Sequence, residues 1–284
     1  MYPPKFDYYR ANSLSEAFSL LQEHSGAKVI AGGHSLIPAL KLRLADPGVL
    51  IDIGRVAELK GITANGNSVR LGALTTHATV AAANNLPKGL TEAAGWIGDP
   101  QVRNRGTVGG NIAHADPSSD LPTVLTALGA TINIVGPQGE RSVAAQDFFT
   151  GLFETTLQEG ELVSSIDVPT EGSGAGSAYA KLFNQASRYA VVGCAAQVKV
   201  ANGVCSAASV AIGGISSHAI KASAVEAALV GKALTPENIN AAAAKIASDL
   251  GDDVMGDMHA SAEYRLSVAP VYVAQAITAA AARA

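Results

Sequence analysis

This chain reads as an α+β protein, and three observations predict it. Short apolar runs of strand length and runs with helical spacing alternate through the first half, as at residues 28–31 and 13–24. Two apolar pairs close on turn sequences, Asn65-Gly66 and Gly136-Pro137-Gln138-Gly139, in the manner of antiparallel hairpins. Further on, a block of three strand-like stretches precedes alanine-rich helical ones, which segregates strands from helices.

Taken in order, residues 13–24 carry Leu14, Ala17, Phe18, Leu20 and Leu21 at helical spacing, with Ser13 as N-cap and Glu16 completing a capping box. A strand at 28–31 leads through a glycine pair into a helix-like stretch at 37–44, and residues 49–53 read as the next strand. Residues 61–74 form a hairpin, and 76–84 and 90–96 are helices flanking a loop. After a second glycine loop come a short buried helix at 122–128 and a strand pair at 131–135 and 141–144. A further strand ends at Pro169, where the most turn-rich segment of the chain begins and runs to Ser177. Beyond it, residues 177–183, 191–200 and 204–212 predict a three-stranded antiparallel sheet, and 222–229, 238–248 and 271–282 predict helices. At 284 residues the chain exceeds the usual single-domain size, so two domains are expected, divided at that turn-rich segment.

Composition narrows the function. Twenty basic against 24 acidic residues give a net charge of −4, which argues against a nucleic-acid surface. No apolar run approaches a membrane span and the Tyr2-Pro3-Pro4-Lys5 start lacks a signal-peptide core, so a cytoplasmic protein is expected. Cys194 and Cys205 cannot ligate an iron-sulfur cluster by themselves, and the 6 histidines show no metal-binding pairing. Cys194, inside an apolar run, reads as a small core residue.

The two glycine pairs carry the chemistry. Ala31-Gly32-Gly33-His34-Ser35-Leu36 follows the apolar run Lys28-Val29-Ile30, and Thr107-Val108-Gly109-Gly110-Asn111-Ile112 lies well downstream. Glycines leave no Cβ to hold an anionic oxygen away from main-chain N–H groups, and they allow the positive φ from which an anion-binding nest is built. Ser35, Thr107 and Asn111 add hydroxyl or amide donors at the margins. Two such loops together predict a clamp for a diphosphate. Neither follows G-x-G-x-x-G, and the first lacks the Lys-Ser/Thr ending of a nucleotide-triphosphate loop, which disfavours a Rossmann domain.

These loops resemble a known family. Ala31-Gly32-Gly33-His34-Ser35-Leu36-Ile37-Pro38 with Lys41-Leu42-Arg43-Leu44, then Gly72-Ala73-Leu74-Thr75-Thr76-His77, then Gln101-Val102-Arg103-Asn104-Arg105-Gly106-Thr107-Val108-Gly109-Gly110-Asn111 resemble the FAD-binding medium subunits of the molybdenum hydroxylases. The resemblance runs from Pro4 to about Ala280, and the first loop is most similar to the carbon monoxide dehydrogenase type. It implies an FAD-binding domain of the vanillyl-alcohol-oxidase/PCMH type over residues 1–170, in two subdomains split near 55–60. A smaller C-terminal domain of the carbon monoxide dehydrogenase flavoprotein type, residues 177–284, would close over the flavin.

The resemblance also implies the site. Non-covalent FAD would lie against Val29, Ile30, Ala31, Gly32, Gly33, His34, Ser35 and Leu36 on one side and Thr107, Gly109, Gly110 and Asn111 on the other. Asp120 matches a position that accepts hydrogen bonds from the flavin's polar chain, although from the residues alone it equally caps the helix opening at Pro122. Ile97, Val163, Lys181 and Tyr189 match positions near the isoalloxazine ring; by themselves they would read as core, strand, a solvated lysine and a half-buried tyrosine. No catalytic acid or base is implied. The implied function is electron transfer: a small [2Fe-2S] subunit delivers electrons from a large molybdenum-pterin subunit to this FAD, and an external acceptor removes them. The implied assembly is a dimer of heterotrimers. The alternatives are a self-contained flavin oxidase or dehydrogenase of the related fold, and a non-catalytic scaffold that has lost FAD.

Overall fold

The computed structural model describes residues 1–284. Strand β1 (Asp7–Arg10), helix α1 (Leu14–Glu23), β2 (Lys28–Ile30), α2 (Leu36–Lys41) and β3 (Val49–Asp52) form the first unit. Both β1 and β2 pair with the central β3 in parallel, so each neighbour is reached through a helix. At α1 the Ser13 side chain accepts from the Glu16 N–H at 3.1 Å. The Glu16 carboxylate answers one residue earlier than a capping box predicts, accepting from the Asn12 N–H at 2.7 Å. Helix α2 is shorter than its periodicity predicts, because Arg43 takes φ 62° and turns the chain.

A 3₁₀ turn at Ala57–Leu59 leads to the second unit. Its hairpin is β4 (Ile62–Asn65) and β5 (Ser68–Gly72). Asn65 pairs with Ser68, so the two-residue turn is Gly66-Asn67, one position later than predicted, and only Gly66 has positive φ. Five helices follow: α3 (His77–Ala81), α4 (Lys88–Trp96), α5 (Pro100–Arg105), α6 (Val108–His114) and α7 (Asp120–Ala127). After β6 (Thr131–Gly136), β7 (Gly139–Ala144), α8 (Ala145–Phe148) and the small hairpin β8 (Phe149–Gly151) and β9 (Glu154–Thr155), β10 (Leu162–Pro169) enters between β5 and β6. The sheet β4-β5-β10-β6-β7 is antiparallel throughout. Every residue of α7 is buried.

The C-terminal part contains β11 (Ala175–Phe183), β12 (Ala190–Ala201), β13 (Val204–Gly213) and β14 (Ile220–Lys221), then α9 (Ser223–Leu229), α10 (Pro236–Ala243), α11 (Ile246–Leu250) and α12 (Ala262–Ala281). The predicted three strands are present, and the two residues of β14 add a fourth at the edge of β13. The single helix predicted over 238–248 is two, broken at Ala244-Lys245. Helix α12 begins at Ala262 and runs through Pro270, where a breaker in the sequence suggests a start. Its face of Ala269, Val273, Ala276, Ile277 and Ala280 is buried, and that burial outweighs one missing backbone bond.

Strand alternation gives this sheet two cores. Ala178, Cys194, Ala196, Val210 and Ile212 pack with the C-terminal helices. Tyr179, Ala195 and Ala211 join instead the core of the preceding unit, with Leu121 and Leu125 of α7. Helix α7 therefore lies between two sheets.

Candidate functional site

The two glycine pairs meet, though by a route the sequence does not announce. The second is no loop. Thr107 is the N-cap of α6, its hydroxyl accepting from the Gly110 N–H at 3.3 Å, so Gly109 and Gly110 lie in the first helical turn. Segment 73–77 holds that turn in place: the Val108 N–H donates to Thr75 O at 2.9 Å, Gly109 to Ala73 O at 2.8 Å, and His77 to Gly106 O at 3.1 Å.

Each glycine has its own reason. A Cβ on Gly32 would fall within the Arg105 carbonyl and 2.9 Å from the Gly106 Cα, so Gly32 is what lets the first loop reach the second segment. Gly33 alone of the four takes positive φ, 76°. Gly109 is bare because it packs on Ala73, and its N–H is already spent; its place is one of packing. A Cβ on Gly110 would come 2.9 Å from the Thr107 Oγ1 that caps α6, and 3.8 Å from Ala31 Cβ of the first loop.

The donors collect on the first loop. The N–H groups of Gly32, Gly33, His34, Ser35 and Leu36 find no acceptor within the chain, and they lie at the start of α2. Val29 and Ile30 sit in β2 beneath them. Ser35 makes no side-chain cap bond, and the exposed His34 ring lies with Nδ1 3.2 Å from Gly32 O. Consecutive unpaired amides at a helix start suit an anion. Asn111 Oδ1 accepts from Ser119 Oγ at 2.7 Å, tying this end of the seam to the residue before Asp120.

Asp120 opens α7 and is 3% exposed. Lys181 Nζ donates to its Oδ2 at 2.8 Å and the Tyr179 hydroxyl to its Oδ1 at 2.6 Å. Lys181 is thus fully buried at its side chain, where composition suggests a solvated lysine. Burial pushes the Asp120 carboxyl up and the Lys181 ammonium down, while their mutual attraction opposes both shifts. Lys181 Nζ also lies 3.5 Å from Trp96 O, beside Ile97. Ile97 closes α4, and its carbonyl and that of Gly98 each accept from Arg103 at 3.0 Å. Val163 is buried in β10 at a register shift opposite β6, so only its backbone is open to a ligand role.

Tyr189 is 44% exposed and fronts a cavity of about 350 Å³ with Asp116, Asp257, His259 and Arg265. Burial, with Asp116 and Asp120 nearby, pushes its phenol up to about 12, so it stays a neutral donor. Its loop is pinned to the 116–118 turn by the Ala190 N–H on Ser118 O at 3.0 Å.

His77 carries a signal that sequence patterning misses. It is 3% exposed, lies edge-on against Gly106, and its Nδ1 has no partner. Burial, with His34 and Arg103 adding repulsion, drives its pKa down to about 4. The segment Gly72 to His77 stands among the family-like motifs, but its part is to brace α6 from behind.

Comparison with known proteins agrees with this geometry. Residues 4–171 match the family model for the FAD-binding domain in molybdopterin dehydrogenase, and residues 177–280 match the carbon monoxide dehydrogenase flavoprotein C-terminal domain. The carbon monoxide dehydrogenase medium chain of Hydrogenophaga pseudoflava is 41% identical, over 100% of this chain and 99% of that one. The glyceraldehyde dehydrogenase medium chain of Sulfolobus acidocaldarius is 39% identical, over 97% and 98%. A solved carbon monoxide dehydrogenase from Hydrogenophaga pseudoflava, lacking the Mo-pyranopterin moiety of its cofactor, superposes with a TM-score of 0.94 at 42% identity, covering 100% of this chain and 99% of that chain. This chain belongs to the FAD-binding subunit family of the molybdopterin dehydrogenases, with a C-terminal domain of the carbon monoxide dehydrogenase flavoprotein type.

Proposed function

We propose that this chain is the FAD-bearing electron-transfer subunit of a molybdenum hydroxylase, receiving electrons from a small [2Fe-2S] subunit, itself served by a large molybdenum-pterin subunit, and passing them to an external acceptor. The observation that carries it is the run of unpaired amides from Gly32 to Leu36 at the start of α2, on a loop that Gly32 seats against Arg105-Gly106, which offers a diphosphate its donors. Residues 1–170 would hold FAD, in two parts divided near 55–60, and residues 177–284 would cover it. Residues 29–36 with Thr107, Gly110 and Asn111 would hold the diphosphate end. Asp120, Ile97, Lys181, Tyr189 and the Val163 backbone would meet the polar chain and ring.

FAD supplies the redox chemistry when bound; the chain's own residues bind, orient and tune it. Lys181 would bring positive charge towards the ring, and Tyr189 a stacking face and a hydroxyl donor. The seam of Gly32 on Arg105-Gly106 keeps both halves of the clamp in register. We assign the assembly as a dimer of heterotrimers in the cytoplasm; no helix of the chain is long and apolar enough to cross a membrane. The names of relatives range from carbon monoxide to glyceraldehyde dehydrogenases, which fits a substrate chosen in the large subunit.

Expression of the full chain alone tests this. It should purify with a releasable flavin spectrum and pass electrons from an artificial reductant to a dye, yet turn over none of the complex's substrate. Co-expression with the neighbouring subunits should yield a complex with equal amounts of each. Substrate turnover by the chain alone would identify a self-contained oxidase, and a folded chain with no affinity for FAD would identify a scaffold.

A further inference from the structure

The sequence divides at the turn-rich segment after Pro169, but the structure is least joined elsewhere. Across that segment the second unit and the C-terminal part are fused. They share one hydrophobic core, to which Leu121 and Leu125 contribute from one side and Tyr179, Ala195 and Ala211 from the other. Buried polar contacts reinforce it: the Gly89 N–H donates to Ser177 Oγ at 2.9 Å, and Tyr179 and Lys181 both hold Asp120. At the rim Arg283 pairs with Glu92 at 2.6 Å, and the Ala190 and Gly214 N–H groups donate to Ser118 O and Pro117 O. An apolar interface with buried polar ties leaves these two parts little freedom to separate.

The first unit is attached differently. No hydrogen bond or ion pair joins residues 1–55 to residues 57–284. Its sheet, β1-β3-β2, is its own, and so is its core: Ala11, Ala17, Ile51, Ile53 and Val56 pack together with Leu59, and beyond the 3₁₀ turn only Leu74 is buried among them. Gly32 does lie against Arg105 and Gly106, but by contact alone, since the Arg105 carbonyl accepts nothing from the first loop. A cleft of about 470 Å³ has Leu14 of α1 in its lining together with Arg70, Asn133 and Ser142 of the large sheet. From Leu59 onward the chain is bound into the second unit, the Leu59 carbonyl accepting from the Leu74 N–H at 2.7 Å. The loose stretch is therefore 56–58.

We propose that residues 7–55 are a flap that moves as one body on the rest of the chain, hinged at 56–58, and that a bound dinucleotide closes it. The closing role rests on the FAD reading above; the flap does not. The amides from Gly32 to Leu36 ride on the flap, and the side-chain amide of Asn111, which donates to nothing in the chain, stands on the fixed side. A diphosphate held by both would be a polar tie between two bodies that have none. Affinity is then reduced by the fraction of time the flap is open, and binding draws it shut.

The test is a pair of distances measured by pulsed electron spin resonance on the full-length chain, without FAD and with it. Cys194 and Cys205 are buried, so labels go to cysteines introduced at exposed sites: Gln22→Cys with Gln138→Cys across the proposed hinge, and Gln138→Cys with Asn240→Cys across the turn-rich segment. Without FAD the first pair should show a spread at least about twice that of the second, and saturating FAD should narrow the first while leaving the second unchanged. Equally narrow spreads without FAD would overturn the flap. A broad second pair would move the hinge to the turn-rich segment and overturn it too. A first pair that stays broad while the flavin spectrum shows FAD bound would overturn the closing role. A chain that takes up no flavin would overturn the cofactor reading and the closing role together, while the two spreads measured without FAD still decide the flap.

Discussion

Replacing Lys181 with methionine puts the buried pair to a quantitative test. Lys181 and Asp120 lie 2.8 Å apart with side chains 0% and 5% exposed, so Lys181→Met leaves a carboxylate without its counter-charge and without water. Breaking a buried pair by removing one partner costs about 3–5 kcal/mol. The Tyr179 hydroxyl remains on Asp120, which places the expected loss near the lower end, about 3 kcal/mol. For a chain of 284 residues the unfolding entropy is about 0.6 kcal/mol per degree, so Tm should fall by about 5 °C. The assay is urea and thermal unfolding of the FAD-free chain, read by circular dichroism, for the parent, Lys181→Met, Asp120→Asn and the double variant. Because the double variant buries no unpaired charge, it should recover much of the loss, giving a coupling energy well above the scatter of independent sites. Additive single losses, or a Lys181→Met change of less than about 1 kcal/mol, would refute the claim that the pair is buried and mutually dependent.

Gly110→Val should lower FAD affinity at least tenfold, since its Cβ would come 2.9 Å from the Thr107 Oγ1 that caps α6 and 3.8 Å from Ala31 Cβ, in the seam between the two segments; Gly32→Ala should cost both affinity and stability, since its Cβ enters the Arg105 carbonyl. Equilibrium dialysis beside urea titration separates the two, and equal affinity in folded Gly110→Val would remove Gly110 from the site. Tyr189→Ala should alter the flavin absorption band or potential more than its occupancy, because in the proposed site the unpaired amides from Gly32 to Leu36 would hold the cofactor; unchanged spectrum and potential would place Tyr189 away from the ring. His77, at about 4 in the folded chain against an unfolded value of 6.5, refuses a proton that the unfolded chain binds. Stability should therefore be indifferent to His77 above the unfolded value and fall as pH drops towards 4, by about 3 kcal/mol in all. A His77→Phe variant with the same pH slope in urea would contradict this.

Legibility in the sequence followed the range of the interaction. The Ser13 cap, the β4–β5 hairpin and the strands of the C-terminal sheet are local, and their residues announce them. Helix α6 hides because Gly109-Gly110 reads as a loop unless the Thr107 N-cap is given weight, and α12 hides its first half behind Pro270. Strand β1 has the charged ends Asp7 and Arg10 and no clean alternation, so only its pairing with β3 makes it a strand. Within the site, the amide run after β2 was visible as glycines. The Asp120–Lys181 pair was not visible as a pair: its members are 61 residues apart, one opening α7 and the other on β11, so family likeness names each one and only packing joins them. Gly109 matched the motif for a reason other than the one the motif suggests.

The position of α7 between two sheets has a consequence for how the protein is made. The helix leaves the ribosome with the second unit, but one of its faces is completed by Tyr179, Ala195 and Ala211, which are synthesised later. Until β11 has emerged Asp120 lacks both of its donors, and until β13 has emerged one side of the apolar helix is not fully covered. A nascent chain stalled near the turn-rich segment after Pro169 should therefore be a client for chaperones.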